Sequence, residues 1–153
     1  MGDASPRLLV AAGLVWLGPR RLLLQRRSRT ASHGAGCLEF PGGKVERGEA
    51  PADALARELV EEWGPGAVSL TVGRIAEALH HAYPPPGPEV VLLVYHVDGS
   101  SWAAHEGAKA TLEPGAEVCA FDVDALPLAE FLAADQSFAA AIAEGRLPRP
   151  DAW

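Results

Sequence analysis

Three glutamates, Glu58, Glu61 and Glu62, stand three and four residues apart in this chain of 153 residues. On a helix that spacing sets their carboxylates on one face, one turn apart. Like charges so placed repel, and no basic residue follows at i+4 to relieve them. A cation from outside the sequence would do so, and hard carboxylate oxygens suit Mg²⁺ or Mn²⁺ rather than zinc. The triplet also keeps register with Gly43, Glu49, Arg57 and Gly64, in the order G-x5-E-x7-R-E-x-x-E-E-x-G. A solvated acidic surface would need none of these other positions. Metal binding is the expected chemistry.

The elements that must position this array are legible around it. Pro51 suits the first turn of a helix, where its missing N–H costs nothing. Asp53 follows in the same turn, favoured by the helix dipole. Ala52, Leu55, Ala56, Leu59 and Trp63 recur at helical spacing and form the expected inner face. Gly64, Pro65 and Gly66 stop the helix. Before it, Leu8 to Leu17 and Arg21 to Arg27 read as strands joined by Gly18-Pro19-Arg20, and Ser28 to Gly36 as a loop. The first run is too short to span a bilayer and contains Gly13, so a strand is expected rather than a signal peptide. Leu38-Glu39-Phe40 alternates as a short strand, and Pro41-Gly42-Gly43 is expected to turn the chain into the helix. Beyond it, Val68 to Tyr83 and Val90 to Val97 are expected to pair as antiparallel neighbours around the loop Pro84 to Pro88. Asp98 to Gly115 reads as irregular, Glu117 to Val123 as a strand and Gln136 to Ala143 as a terminal helix, with Asp135 as a possible N-cap. Strands on both sides of a central helix point to an α/β sandwich with a mixed sheet, in one domain over residues 1–153.

Composition narrows the partners. A net charge of −7 argues against a nucleic-acid polymer, whose phosphates need a basic surface. A small polyanion remains compatible if metal ions and a few basic side chains neutralise it locally. Cys37 and Cys119 fit no metal spacing and read as buried, reduced thiols, as in a cytoplasmic protein without a membrane partner. Nothing in the residues selects between a monomer and a homodimer.

The array resembles the Nudix box, with Pro65 as the one departure, standing where an aliphatic residue is expected. The resemblance extends over His33 to Lys44, over Ala76 to Pro84 and over Leu126 to Ala139, and is similar to the MutT-like triphosphatases of the Nudix hydrolase family. It implies a Nudix-type α/β/α sandwich and metal-dependent hydrolysis of (deoxy)nucleoside triphosphates to monophosphate plus pyrophosphate, in sanitising the nucleotide pool. It implies that the Gly42 carbonyl, Glu58, Glu61 and Glu62 ligate metal, and that Arg57 and Glu49 pair to brace the loop against the helix. A later glutamate completes the site or acts as general base, and Glu117 falls at that place, with Glu113 as the fallback; the base is then Glu58 or Glu117. Arg26, next to Arg27, and Lys44 are the expected phosphate contacts. Phe40 and Tyr83 could stack on a base or belong to the core. Where similar chains carry a base-reading asparagine, this one has Asp135. An ionised carboxylate only accepts, so it wants the donor edge of an oxidised guanine or of a cytidine-type base. Hydrolysis of dinucleoside polyphosphates or nucleotide sugars is the alternative activity, and a non-catalytic nucleotide-binding module the alternative class.

Overall fold

The computed structural model describes residues 5–104 and 114–153. The elements run β1 (Arg7–Gly18), β2 (Arg21–Arg26), β3 (Leu38–Glu39), β4 (Gly42–Lys44), α1 (Pro51–Trp63), β5 (Thr71–Ala82), β6 (Glu89–Asp98), α2 (Ser100–Ala104), β7 (Glu117–Asp122) and α3 (Gln136–Ala143). The sheet is mixed, in the order β3-β2-β1-β6-β5, with β4 on β1 and β7 on β2. Among the strand pairs of the described residues, β1–β6 is parallel and the others are antiparallel.

Alternation along β1 builds a core on each face. Ala11 and Val15 pack with Leu23 and with Leu55, Leu59 and Trp63 of α1. Ala12, Leu14 and Trp16 pack on the other face with Leu22, Leu24 and with Phe138, Ala139 and Ile142 of α3. A period-2 strand between two apolar helix faces can satisfy both at once. The result is the expected α/β/α sandwich with a mixed central sheet. No helix among the described residues is long and apolar enough to cross a membrane.

Several local expectations change. Gly42 to Lys44 is not only a turn: it pairs antiparallel with Val10 to Ala12, because glycines let one backbone lie close on another. The inner face of α1 is Ala54, Leu55, Leu59 and Trp63, while Ala52 is half-buried and Ala56 exposed. Pro65 opens a 3-10 turn over Pro65–Ser69, so the ring that breaks the motif starts the next element. The helix end is anchored by the Trp63 indole N–H, which donates to Gln25 Oε1 of β2 at 2.9 Å. A short helix, α2, interrupts the stretch expected to be irregular, and Trp102 packs on Trp63. Cys37 and Cys119 are free but half-buried rather than buried.

Candidate active site

Arg57 is the hub of the acidic helix. Its Nε donates to Glu49 Oε1 at 2.7 Å and its Nη2 to Glu49 Oε2 at 3.0 Å, a two-pronged pair that binds the loop to the helix. Nη2 also donates to the carbonyl of Lys44 at 3.2 Å. Nη1 reaches both Glu58 Oε1 and Glu61 Oε2, each at 3.1 Å. The charge relief expected only from outside the chain is therefore partly internal: the arginine precedes Glu61 by four residues instead of following it. The Arg57 fork, then the Glu46 backbone N–H, hold the Glu49 carboxyl down at about 2. The same carboxylates, Glu49 first, raise the guanidinium further.

Two glycines shape the approach to these carboxylates. A Cβ on Gly43 would stand 2.3 Å from Glu58 Cδ, so the Glu58 carboxylate lies directly on the strand backbone. A Cβ on Gly42 would stand 2.1 Å from the carbonyl oxygen of Ala11. The two substitutions therefore separate. Gly43→Ala is expected to keep the fold, since a flexible side chain can move, while cutting turnover at least about tenfold by displacing Glu58. Gly42→Ala meets rigid backbone and is expected to lower the melting temperature sharply. Thermal melts beside activity assays check both.

Three carboxylates and a carbonyl are hard oxygen donors on one helix face and its facing strand, and that set fits a divalent cation such as Mg²⁺. Glu58 and Glu62 are half-buried, the latter with Oε2 shielded from solvent, and Glu61 is exposed. Their present directions do not converge. Among the described residues no group of three or more His, Cys, Asp or Glu side chains is arranged to hold an ion, as Glu58 and Glu61 turn to Arg57.

On the other face of the sheet lies a cavity of ≈ 270 Å³. Its floor is aliphatic: Val10, Leu92 and Leu79 are cross-strand neighbours on β1, β6 and β5, with Ala12 beside them. Glu39, Phe40 and Gly42 form one side, and Leu132, Asp135 and Ser137 another. Phe40 is mainly core, buried against Phe131 and Phe138, with the cavity beside it. Tyr83 stands at the mouth, 37% exposed. Lys44 is exposed and opposite Val10, so strand alternation sends it to the cavity face while Gly43 faces Glu58.

Asp135 does not cap α3. Its torsions are already helical and its side chain makes no cap bond, because a 3-10 turn over Ala133–Asp135 runs straight into the helix. Freed from capping, it lines the cavity. Burial, and then the charge of Glu39, push its carboxyl up to about 6.

The structure separates two expected site residues from the acidic helix. Val118 packs with the α1 side of the core, so its neighbour Glu117 turns the other way. There its ion partner is Arg26, with Nε to Oε1 at 3.9 Å. Arg26 also donates from Nη1 to Glu130 Oε1 and to the carbonyl of Gly36, both at 3.0 Å. Glu113 lies outside the described residues. Sequence reasoning passed over Glu39, His81 and Ser137, which also line the cavity. Period-2 alternation from Leu79 would have found His81.

An α/β/α sandwich with an acidic helix laid against a glycine strand, and an open cavity behind that strand, is the class this geometry defines. The chain belongs to the NUDIX domain family, whose model matches residues 7–142. It is 45% identical over 58 residues to the 8-oxo-dGTP diphosphatase of Escherichia coli strain K12, covering 38% of this chain and 44% of that protein. It is 43% identical over 58 residues to the RNA pyrophosphohydrolase of Bartonella bacilliformis, covering 38% of this chain and 32% of that one. The chain thus spans less than half the length of either relative. Among solved structures, the MutT protein of Methanosarcina mazei Go1 superposes with a TM-score of 0.69 at 22% identity, over 93% of this chain and 96% of that one.

Proposed function

We propose that this chain, acting as a single cytoplasmic domain, is a MutT-like pyrophosphohydrolase. It hydrolyses (deoxy)nucleoside triphosphates to the monophosphate and pyrophosphate. One observation carries the reading. Gly42 lines the base-sized cavity while Gly43, its neighbour, bears the Glu58 carboxylate. In this reading a nucleotide whose ring fills the cavity extends its phosphates past the glycine strand to the acidic helix. The net charge of −7 favours a small substrate over the RNA that the second relative is named for.

Phosphoanhydride hydrolysis is largely positioning and charge neutralisation. The Gly42 carbonyl, Glu58, Glu61 and Glu62 would hold Mg²⁺ or Mn²⁺, which when bound neutralises phosphate charge and acidifies water. Glu58 is the general base in this reading, because it sits at the glycine strand whereas Glu117 is paired with Arg26 on the opposite face. Arg57 orients Glu58 and Glu61, and Glu49 orients Arg57. Lys44 contacts the phosphates, since Arg26 is occupied by Gly36 and Glu130. Asp135 reads the base edge, and Phe40 and Tyr83 border the ring.

The test is turnover with Mg²⁺ of canonical and oxidised triphosphates, dinucleoside polyphosphates and nucleotide sugars, with products resolved by anion exchange. Monophosphate plus pyrophosphate from a triphosphate is expected. Cleavage of the dinucleotides or sugars alone would overturn the substrate class.

A further inference from the structure

We propose that His81 sets the base preference of this site, through a ring-nitrogen contact made across the cavity from Asp135. The proposal rests on the nucleotide reading above and adds a residue to it. His81 and His80 are adjacent on β5 but face opposite sides of the sheet. His80 bonds through Nε2 to Glu89 Oε1 at 2.7 Å, and Glu89 Oε2 takes Arg7 Nε at 2.8 Å, so that imidazole is already engaged although its residue also borders the cavity. His81 instead pairs with Val90 in the same alternation as Leu79 with Leu92, and all four line the cavity.

His81 is exposed, and its ring packs on Tyr83. The two rings meet edge to face, with centroids 4.4 Å apart and planes at 76°. Tyr83 is fixed in turn by the hairpin tip: its N–H donates to the Pro88 carbonyl at 3.0 Å, and Gly87 donates to Pro84 at 2.8 Å. A Cβ on Gly87 would stand 2.7 Å from Tyr83 Cβ, so the tip closes only with glycine there. A ring nitrogen positioned by such packing can discriminate ligands at little entropic cost.

Chemistry then assigns the role. A flat ring lying on the floor of Val10, Ala12 and Leu92 has no polar contact through its face, only at its edges. Ionised Asp135 accepts only, while a neutral imidazole has one donor and one acceptor. The pair suits a ring with N–H donors on one edge and an N–H beside a carbonyl on the other. Guanine oxidised on its five-membered ring has that pattern. Unoxidised guanine offers a bare acceptor nitrogen on the second edge, so the preference requires that the His81 nitrogen facing the base be the acceptor.

The test compares kcat and KM for oxidised and unoxidised dGTP in the wild type, His81→Phe and His81→Gln. Phenylalanine keeps the packing on Tyr83 and removes both nitrogens; glutamine restores a donor and an acceptor. For His81→Phe, KM for oxidised dGTP should rise about fivefold, the worth of one hydrogen bond, with kcat and the KM for dGTP within about twofold. His81→Gln should recover part of the preference. An unchanged preference in His81→Phe overturns the proposal. If the wild type turns over no triphosphate, the nucleotide reading fails separately, and calorimetric titration with oxidised dGMP decides for His81. Binding weakened about fivefold in His81→Phe supports it; equal or absent binding overturns it.

Discussion

Glu61→Gln is expected to lower kcat about a thousandfold while leaving the melting temperature within about 2 °C of the wild type. The two effects part because Glu61 does little for the fold and belongs to the proposed metal-holding set. Its side chain is more than half exposed, and its one described partner is Arg57 Nη1 at 3.1 Å. An exposed pair of this kind contributes at most about 1 kcal/mol, and a glutamine oxygen can still accept that hydrogen bond. What glutamine cannot supply is the negative charge that completes the donor set of Glu58, Glu61 and Glu62. Chelation of the wild type should reproduce the same loss. Most of the activity surviving in Glu61→Gln, beside an intact melt, would sink the assignment of this helix as the catalytic element.

The helix that carries this prediction was the most legible part of the chain. Pro51 and Gly64 bound it in the sequence because each acts locally, through a fixed φ and a free one. The terminal helix over Gln136–Ala143 was visible for a similar reason, from its apolar run and Gly145 beyond it. The parallel pairing of β1 with β6 was not visible, since it joins residues about eighty positions apart with no turn to announce it. Side-chain direction proved the harder matter. Glu117 has a legible place in the order, but its direction is not legible, and alternation with Val118 turns it to Arg26. Arg57 looked like a simple brace for Glu49, and only the folded helix shows it reaching Glu58 and Glu61 as well. For Asp135 the sequence leaves a cap and a base contact both open, because Asp before a helix serves either. The 3-10 turn ahead of it removed the extended torsion that a cap requires.

Asp135→Asn is expected to stabilise the fold while weakening recognition of the base, a combination that a merely structural carboxylate would not give. In the folded chain its carboxyl titrates near 6, against 3.8 ordinarily, because it is buried and then because Glu39 is negative. The folded state therefore holds this proton more tightly than the unfolded one. The group's contribution to stability is full below about pH 4 and is lost as pH rises through about 6. At pH 8 the ionised carboxylate costs the fold on the order of 3 kcal/mol, taking 1.36 kcal/mol for each pKa step. Asparagine carries no charge, so its gain in melting temperature should be large at pH 8 and absent at pH 4. Recognition should move the opposite way. In the proposed reading the carboxylate accepts from a donor edge at pH 8, and asparagine, free to turn its own donor toward that edge, should raise KM about tenfold. In the wild type KM should also climb as pH falls from 7 to 5 and Asp135 becomes protonated, whereas the variant should hold a flat KM over that range. Glu39, His80, His81 and Tyr83 also line this cavity. A wild-type-like pH profile persisting in Asp135→Asn would hand the base-reading role to one of them.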